Sequence, residues 1–349
     1  MTVRIYQPQE KIPREITSII FAEESVIWHA ASNWNNICTK NFVGVIPFPS
    51  KTIDEWERNH YNSDSYVLTI MEKDLVLGWL KFQELSLPLT GTYGFIKDIN
   101  TDCSVLSIDV LYVNANCRGC GVGTKLLGAL AEYAKACGYQ YLTLHCNDKN
   151  SKGKSLYSKM GFYTLETQWY GYLNQYVDNA PPCDITYIED QDDYDIYHLT
   201  DRINEAIDKN AILYPQFGKY QEQLYQQQIH EVASVDNPVA LIDGGRSIML
   251  PANGYENKIT VASISILDPE VAINSQLLLS HLRAYEEIIR RARLPAFINL
   301  NSFMNINFED VGLIRTNLCM VQSVDGLLSK YHKLTDKTRS KTHEFKHLL

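Results

Sequence analysis

The sequence predicts a mixed α/β protein of two domains, each with a mixed, mostly antiparallel sheet flanked by helices. Apolar strand-like runs alternate with amphipathic helical segments along all 349 residues. Near the middle, Pro181-Pro182 interrupts this order, because paired prolines continue neither a helix nor a sheet ladder. The chain is long for one core, and 45% hydrophobic residues suffice for two. The expected units are residues 1–180, residues 183–330 and a basic, frayed C-terminal tail, 331–349.

The first half is expected to hold an opening strand, two helices and a hairpin, then a strand-helix-strand-helix unit and two closing strand-like runs. Helices follow from apolar residues three and four apart, and strands from strict alternation. The predicted strands are 3–6, 66–72, 75–82, 105–113, 141–146, 162–168 and 170–177, and the predicted helices are 15–34, 53–60, 121–137 and 151–160.

The second half repeats this plan. Its predicted strands are 184–188, 238–242, 247–250, 259–267 and 296–300, with a helix over 276–292. One set of residues stands at the same spacing as a set in the first half, namely Asn301, Phe308, Gly312 and Leu313 against Asn150, Tyr157, Gly161 and Phe162. We interpret this as an internal duplication. The alternative is an unrelated α/β domain whose spacing matches by chance.

A glycine-rich segment, Cys117 to Thr124, links the predicted strand 105–113 to the helix that follows it. Glycines at a strand-to-helix junction leave the backbone free of side chains. Several N–H groups and the positive end of the helix can then converge on a diphosphate. The segment is therefore a candidate anion site. Its Cys117-x-x-Cys120 spacing also suits a redox or metal role, but structural cysteines are the default.

A second motif follows about one helix downstream, reading Asn150-x-x-Gly153-x-x-Leu156-Tyr157-x-x-x-Gly161-Phe162. With the Arg-Gly-x-Gly-x-Gly segment upstream, it resembles the acetyl-CoA-binding core of the GNAT acyltransferases, where N-x-x-A-x-x-L-Y-x-x-x-G-F follows R/Q-x-x-G-x-G/A. Gly153 departs from the pattern, since the family has alanine there. The resemblance spans about residues 104–165 and implies an acetyl-CoA-dependent N-acetyltransferase. It does not carry the identity of the acceptor.

The resemblance also implies which residues hold acetyl-CoA. Backbone N–H groups of the glycine segment would bind the pyrophosphate, and the side chain of Arg118 would add a charge. The end of the strand before it would splay and pair with the pantetheine arm. Asn150 would contact that arm or cap the helix that carries Tyr157. The expected cofactor-binding residues are Leu111, Tyr112, Val113, Arg118, Gly119, Cys120, Gly121, Val122, Gly123, Thr124, Asn150 and Tyr157.

Two residues are the candidates for proton transfer. Tyr157 is expected to be the general acid that protonates the departing thiolate, or else a tyrosine that only packs. Asp109 is expected to be the general base, since strand alternation places it on one face with Leu111 and Val113; the alternative is a solvated edge residue. His145 lies in an apolar strand and is expected to be a core histidine. We expect direct attack in a ternary complex, because no nucleophile motif stands out.

Charge and composition limit the classes of binding partner that we expect. A net charge of −9 disfavours a nucleic-acid partner and weakly favours cationic amines, such as a small molecule, a peptide N-terminus or a lysine side chain. No apolar run has membrane-spanning length and no signal peptide is evident, so we expect a cytoplasmic protein and no membrane partner. The eight cysteines form no metal-site pattern, and no metal is expected.

The second domain is expected to be a degenerate GNAT-like domain, because residues 268–274 hold no glycine and no arginine where the first half has its anion site. It would serve architecture or substrate recognition, and it could offer a surface for a protein partner. The competing hypothesis is a non-catalytic module that binds acyl-CoA or another protein.

Overall fold

The computed structural model of the protein describes most of the N-terminal half and, in the C-terminal half, mainly strands and helices. The fold is mixed α/β, with mostly antiparallel strands flanked by helices. Within this part of the chain, no helix is long and apolar enough to span a membrane. The described ranges are 1–38, 52–85, 104–172, 179–188, 239–250, 263–266, 268, 270–271, 274–291, 297–302, 308–309 and 313–346.

The strands and helices of these ranges are numbered in chain order. The strands are β1 (Thr2–Tyr6), β2 (Ser65–Glu72), β3 (Leu75–Leu85), β4 (Val105–Val113), β5 (Tyr141–Asn147), β6 (Tyr163–Tyr172), β7 (Ile185–Ile188), β8 (Val239–Ile242), β9 (Ser247–Leu250), β10 (Ser263–Ile266), β11 (Phe297–Ser302) and β12 (Ile314–Ser323). The helices are α1 (Arg14–Cys38), α2 (Ile53–Tyr61), α3 (Val122–Ala136), α4 (Ser151–Lys159), α5 (Ser275–Arg291) and α6 (Val324–Lys346).

The main sheet has eight strands in the order β1-β2-β3-β4-β5-β12-β6-β11. Neighbours are antiparallel except β4 and β5, which run parallel. Parallel neighbours need a crossover connection, and α3 provides it. A second sheet, in the order β10-β9-β8-β7, is antiparallel throughout.

Strand β12 lies between β5 and β6, although it comes near the end of the chain. It pairs with the whole of β5, Tyr141–Asn147, and on its other side with β6. Strand β6 then pairs with β11. The main sheet therefore takes strands from both sides of the break at Pro181, and residues 1–180 do not contain all of it.

Apolar side chains cover both faces of the main sheet. On one face, which we call the α3 face, fully buried residues of α3, α4 and α6 pack on β2 to β5 and β12. On the opposite face, the α1 face, residues of α1 and α2 pack on β1 to β3. The fully or almost fully buried side chains include Leu126, Leu130, Leu142 and Leu327 on the α3 face, and Tyr6, Ile20, Trp56 and Trp79 on the α1 face.

Helix α6 closes over α3. A Cβ atom added to Gly128 of α3 would stand 2.5 Å from the ring of Tyr331 on α6, so the two helices touch closely. The N–H of Val324, at the start of α6, donates to the carbonyl of Gln140 at 2.9 Å. The basic tail is thus helical through Lys346, and the expectation of a frayed terminus is wrong. The apolar residues of α6 that face the core stabilise it.

Most predicted elements of the first half are present with ends shifted by a few residues. The first closing run and the start of the second form the single strand β6, Tyr163–Tyr172, while residues 173–177 of the second run lie outside the described part of the chain. The second half shows the predicted hairpin β8-β9 and the helix α5. Strand β12 and helix α6 were not predicted. From the sequence we also expect a loop or an extended hairpin over 86–101 and, after residue 195, a helix through Ala206; both lie outside the described residues.

A fragment that ends at residue 180 should not fold as an independent unit. It would lack β12 and α6, leaving the edges of β5 and β6 unpaired and the apolar face of α3 uncovered. We expect aggregation or the loss of a cooperative thermal transition by circular dichroism, with the full chain as the control. A soluble fragment that melts cooperatively near the temperature of the full chain would contradict the role given to β12.

Candidate functional site

Strands β4 and β5 separate halfway along β4. Their parallel ladder ends at Ile108 opposite Leu144. Beyond that pair, β4 stays with β3 up to Val113, whereas β5 stays with β12 to its own end. The β5-facing edge of residues 109–113 is therefore unpaired within the described sheet. A cleft opens at the end of β4 where the splayed strand was expected.

Main-chain groups alternate in direction along this open edge. The N–H of Asn114 donates to the carbonyl of Leu77 at 2.9 Å, on the β3 side. By alternation the N–H of Tyr112 also points towards β3, while those of Leu111 and Val113 point into the cleft. Of the three residues expected to pair with a pantetheine arm, two present their main-chain groups to it.

The glycine-rich segment forms a tight turn directly before α3. Arg118 has φ −68° and ψ 142°, and Gly119 has φ +82°. The N–H of Cys120 donates to the carbonyl of Cys117 at 3.3 Å, which completes a type II turn. Gly121, also at φ +82°, precedes the helix. Residues with a Cβ disfavour this conformation, by about 1–2 kcal/mol. In the described part of the chain, no atom lies within 4 Å of a Cβ added to either glycine. The outer surface of the turn is therefore open.

The N-terminus of α3 carries N–H groups without a partner in the helix. The first of its main-chain bonds runs from Lys125 to the carbonyl of Gly121 at 3.0 Å, and no side chain caps the helix. The N–H groups of Val122, Gly123 and Thr124 precede that bond. Together with the positive end of the helix dipole, they suit a phosphate anion.

Gly123 is the point where β4, α3 and α4 meet. A Cβ atom there would lie 2.9 Å from Cδ2 of Leu156 on α4 and 3.6 Å from Cγ2 of Val113 at the end of β4. The third glycine of the motif thus serves close packing between the elements, in addition to any contact of its N–H with a ligand. Its small size fixes the distance between the phosphate-binding turn and the helix that carries Tyr157.

Asn150 caps α4. Its side-chain oxygen accepts the N–H of Gly153 at 2.9 Å, the bond expected of an N-cap residue. A Cβ atom on Gly153 would stand 2.5 Å from Nδ2 of Asn150. The glycine that departs from the family pattern therefore makes room for this cap. Of the two roles weighed for Asn150, the structure displays capping.

Tyr157 projects from α4 into the α3 face and is 8% exposed. Burial, with a smaller effect of the nearby Cys146, raises the pKa of its phenol above the ordinary value. The ring of Phe162 contacts it edge-on, with centroids 5.9 Å apart, and the N–H of Phe162 donates to the Tyr157 carbonyl at 3.0 Å. The phenol therefore keeps its proton at neutral pH and is held in a fixed position.

The side chain of Arg118 folds back over β4. Its Nε donates to the carbonyl of Val113 at 3.2 Å, and its guanidinium lies 5.8 Å from the ring centre of Tyr112. It therefore occupies an acceptor on the open edge of β4. To reach a phosphate on the turn, Arg118 has to leave this position.

Asp109 occupies a bulge in β4. Lys81 of β3 pairs with Val110 and Phe82 pairs with Ile108, so Asp109 is the extra residue. Ile108 and Leu111 both pack on the α3 face, and Val110 packs on the α1 face. The bulge therefore directs Asp109 to the α1 face with Val110. The expectation that Asp109 shares a face with Leu111 and Val113 is wrong, because the inserted residue shifts the alternation.

Asp109 is an exposed residue, yet many protein atoms surround its carboxylate. Desolvation by those atoms raises its pKa to about 6; the charge of Lys81 lowers it and that of Glu24 raises it further. Nε2 of Gln83 lies 3.5 Å from Oδ1, at the limit of a hydrogen bond, and Ser107 also donates to the carboxylate. The group is ionised at pH 7 and takes up a proton just below it, as a general base should.

His145 lies beside the point where β4 and β5 separate, which the sequence did not reveal. Its neighbours Leu144 and Cys146 are 2% exposed, whereas His145 is exposed, so the expectation of a core histidine is wrong. It directly follows the last residue of β5 that pairs with β4. The divergence of the strands, which depends on distant pairing, is what exposes it. No pattern within β5 indicates this.

The second half lacks an equivalent of the glycine turn in its described part. The side chain of Asn274 caps α5, accepting the N–H groups of Gln276 and Leu277 at 3.1 and 3.2 Å. Arg246 binds Asp268 and Glu270, each at 2.7 Å, just before that helix. Side chains thus occupy the start of α5, whereas no side chain caps the start of α3.

Part of the motif of the first half recurs in the second. The N–H of Leu313 donates to the carbonyl of Phe308 at 3.1 Å, as that of Phe162 does to Tyr157 at 3.0 Å. Asn301, however, lies inside β11 opposite Gln168, so it is a strand residue and not the cap of a helix. The second half therefore repeats the end of the motif, at Phe308 and Leu313, but not its start, at Asn301.

Residues 28–162 match the model of the Acetyltransferase (GNAT) family. The match includes β4, the glycine turn, α3, β5 and α4, and ends just before β6. Over these residues the first half of the chain is thus similar to the GNAT family. A search of curated proteins found no match.

Solved structures with a similar fold include two that span nearly the whole chain. One is a tandem GNAT protein from the clavulanic acid biosynthesis pathway, at 11% identity and a TM-score of 0.39, covering 93% of this chain and 99% of that one. The second is a GCN5-related N-acetyltransferase from Sphaerobacter thermophilus, at 12% identity and a TM-score of 0.43, covering 92% and 96%. A Bacillus subtilis acetyltransferase in complex with CoA matches at 19% identity and a TM-score of 0.24, covering 30% and 59%.

The close packing at Gly123 can be tested by Gly123→Ala. The added methyl group would push Leu156 and with it α4, at a cost of about 1–3 kcal/mol. We expect the affinity for CoA, measured by calorimetry, to weaken by at least about fivefold, the equivalent of about 1 kcal/mol. Gly128→Ala is the matched control, since its clash with Tyr331 destabilises the same helix away from the cleft. Unchanged CoA affinity in Gly123→Ala would contradict the assembly described.

Proposed function

We propose that the chain is an N-acetyltransferase that moves an acetyl group from acetyl-CoA to a primary amine by direct attack in a ternary complex. The observation that supports this most is the meeting of three elements at Gly123. They bring together an anion-binding turn, an open strand edge and a helix with a buried, protonated phenol. The similarity of residues 28–162 to the GNAT family supports the same class of reaction.

The residues present fit an acyl-CoA. The N–H groups of Val122, Gly123 and Thr124 suit its diphosphate, and no atom of the described residues lies within 4 Å of a Cβ added to Gly119 or Gly121. The cleft-facing main-chain groups of β4 suit the amides of a pantetheine arm. When bound, acetyl-CoA supplies an acetyl group activated as a thioester.

Two side chains of this chain handle protons in the proposal. Tyr157 holds a proton on its phenol oxygen at neutral pH, because burial raises its pKa, and can donate it to a departing sulfur. Asp109 is ionised at pH 7 and can accept a proton from the amine. General acid or base groups of this kind typically contribute about 10²–10⁴ in rate.

The cysteines give no support to an acyl-enzyme route. Cys146, the thiol near Tyr157, is 2% exposed, and burial raises its pKa to about 11. Only the thiolate is a good nucleophile, so this group is inert at neutral pH. Cys120 is exposed on the turn, at the end of the site that suits phosphate. Direct attack by the amine needs neither.

The acceptor is proposed only as a class. The net charge of −9 and the carboxylates of Glu23, Glu24 and Asp109 on the α1 face favour an amine that arrives as a cation. A small molecule, a peptide N-terminus and a lysine side chain all meet this description. We propose a cytoplasmic setting without a nucleic-acid or membrane partner and without a metal.

For the second half, we propose a degenerate GNAT-like domain, residues 183–330, that serves the architecture of the first and offers a surface for a protein partner. The capped start of α5 and the ion pairs of Arg246 support a loss of cofactor binding there. Strand β12 and helix α6 support the architectural role, and α6 carries the basic tail, 331–349. The alternative, an acyl-CoA-binding or protein-interaction module without turnover, makes no use of the buried phenol of Tyr157.

Tyr157→Phe tests the proposed general acid. It removes one hydroxyl and keeps the ring that packs against Phe162. We expect CoA to bind with wild-type affinity and turnover to fall by at least about tenfold, measured as thiol release with a panel of amines. Tyr163→Phe, on the neighbouring strand, is the matched control. Near-normal turnover in Tyr157→Phe would remove this residue from the mechanism, and no turnover by the wild type with any amine would favour the binding-module alternative.

The pH dependence of kcat/KM tests Asp109. Its pKa is raised to about 6, so the basic form increases as the pH rises through that value and is complete above it. We expect kcat/KM of the wild type to rise between about pH 5 and 7 for this reason. In Asp109→Asn this rise of kcat/KM with pH should vanish, and kcat/KM at pH 7 should fall. A variant that keeps the wild-type profile would show that the base lies elsewhere.

A further inference from the structure

The last paired residues of β4 and β5 are followed, on the two strands, by two titratable side chains. Asp109 comes next on β4 and His145 comes next on β5. We propose that His145 is a second proton acceptor for the amine, opposite Asp109 at the floor of the cleft. This inference rests on the proposed acetyl transfer and adds a residue to it.

The two side chains lie on the same face of the main sheet. On β5, Leu142, Leu144 and Cys146 pack on the α3 face, so alternation directs His145 to the α1 face. On β4, the bulge directs Asp109 to that same face. Tyr157 packs on the α3 face. The proposed proton acceptors are therefore on one side of the sheet and the proposed donor is on the other.

The His145 ring is accessible to a substrate, unlike the residue before it on that face. Thr143 is 2% exposed and donates its hydroxyl to the carbonyl of Met320 at 3.2 Å. His145, two residues further along β5, is exposed. Among the described residues, no side chain or main-chain group forms a hydrogen bond or an ion pair with its ring. As far as the described part of the chain is concerned, both ring nitrogens are left for a ligand or for water.

The chemistry of amide formation explains why two proton acceptors are useful at this site. A protonated primary amine carries three N–H bonds, and the amide nitrogen that it becomes carries one. The nitrogen therefore loses two protons as its bond to the acetyl carbon forms and the carbon–sulfur bond breaks. The departing sulfur receives its proton from Tyr157 on the other face, and the phenolate oxygen then regains a proton from water. One proton can go to the carboxylate of Asp109 and the second to a ring nitrogen of His145, which returns it to water.

The electrostatic surroundings are compatible with this role. Surrounding protein atoms lower the pKa of His145, so its ring is neutral at pH 7 and has a lone pair to offer. The charged and polar groups that act on the neighbouring carboxylate are Lys81, Gln83, Ser107 and Glu24, from β3, β4 and α1. The lowered pKa of His145 also favours release of a proton that its ring has accepted.

His145→Gln in the full-length protein tests the inference, because glutamine can form hydrogen bonds but accepts no proton near neutral pH. We expect unchanged CoA affinity and a fall in kcat/KM at pH 7 of at least about tenfold. Activity should then recover by roughly tenfold per pH unit up to the pKa of the amine, as more amine arrives already deprotonated. A merely structural residue would not produce this recovery. His332→Gln, an exposed histidine on α6, is the matched control.

His145→Ala gives a second measurement should the glutamine variant lose stability, with imidazole added to replace the missing ring. We expect imidazole to restore turnover in His145→Ala and to leave Asp109→Asn unchanged. Wild-type activity in His145→Gln, or a loss that neither high pH nor imidazole reverses, would overturn the inference while leaving acetyl transfer intact. A wild-type protein that binds CoA but releases no thiol with any amine would refute both.

Discussion

The pairing of β5 with β12 is the constraint on which the site depends. Strand β5 is bonded to β12 along its whole length, while β4 is bonded to β3. The parallel pairing between β4 and β5 therefore stops at Ile108 and Leu144, and the two strands follow different partners beyond it. The open edge of β4, the exposed His145 and the bulged Asp109 all occur at this separation. A strand from near the end of the chain thus shapes a cleft built by its first half.

The same strand relates the two halves of the chain. In the β6–β12 ladder, Thr167 stands opposite Leu318, and these residues are as far apart in sequence as Tyr157 and Phe308. Residues that correspond under the proposed duplication thus meet face to face. A pseudo-twofold axis through this pair accounts for the order β5-β12-β6-β11, since it exchanges β6 with β12 and β5 with β11. Under the proposed duplication, the arrangement corresponds to a symmetric dimer whose protomers share strands, joined in one chain.

Local patterns predicted much of the fold because they are set by neighbours in sequence. Helices α1 to α5 follow apolar spacing, and the hairpin follows the turn at Lys73 and Asp74. The glycine turn and the cap at Asn150 follow from backbone chemistry at fixed offsets. Helix α6 could have been found, because Leu327, Tyr331 and Leu334 recur at helical spacing; its many lysines suggested a solvated tail instead.

Features set by distant partners were not predictable in this way. The place of β12 depends on β5 and β6, and no local signal names those partners. The bulge at Asp109 reverses the alternation that was used to assign its face. The exposure of His145 follows from the divergence of two strands, although the residues around it read as a buried strand. For Asp109 and His145, the residue type could be read from the sequence, but the face to which the side chain points could not.

The distribution of groups between the two faces bears on the order of events. Tyr157 packs on the α3 face, whereas Asp109 and His145 belong to the α1 face, so the proposed acid and the proposed bases would not compete for one proton. The gap between β4 and β5 is the connection between the faces in the described sheet. A thioester lying along the open edge of β4 would offer its carbonyl carbon within that gap, reachable from the α1 face, with its sulfur towards the phenol. Attack and departure then occur on opposite sides of the sheet, and a covalent enzyme intermediate is unnecessary.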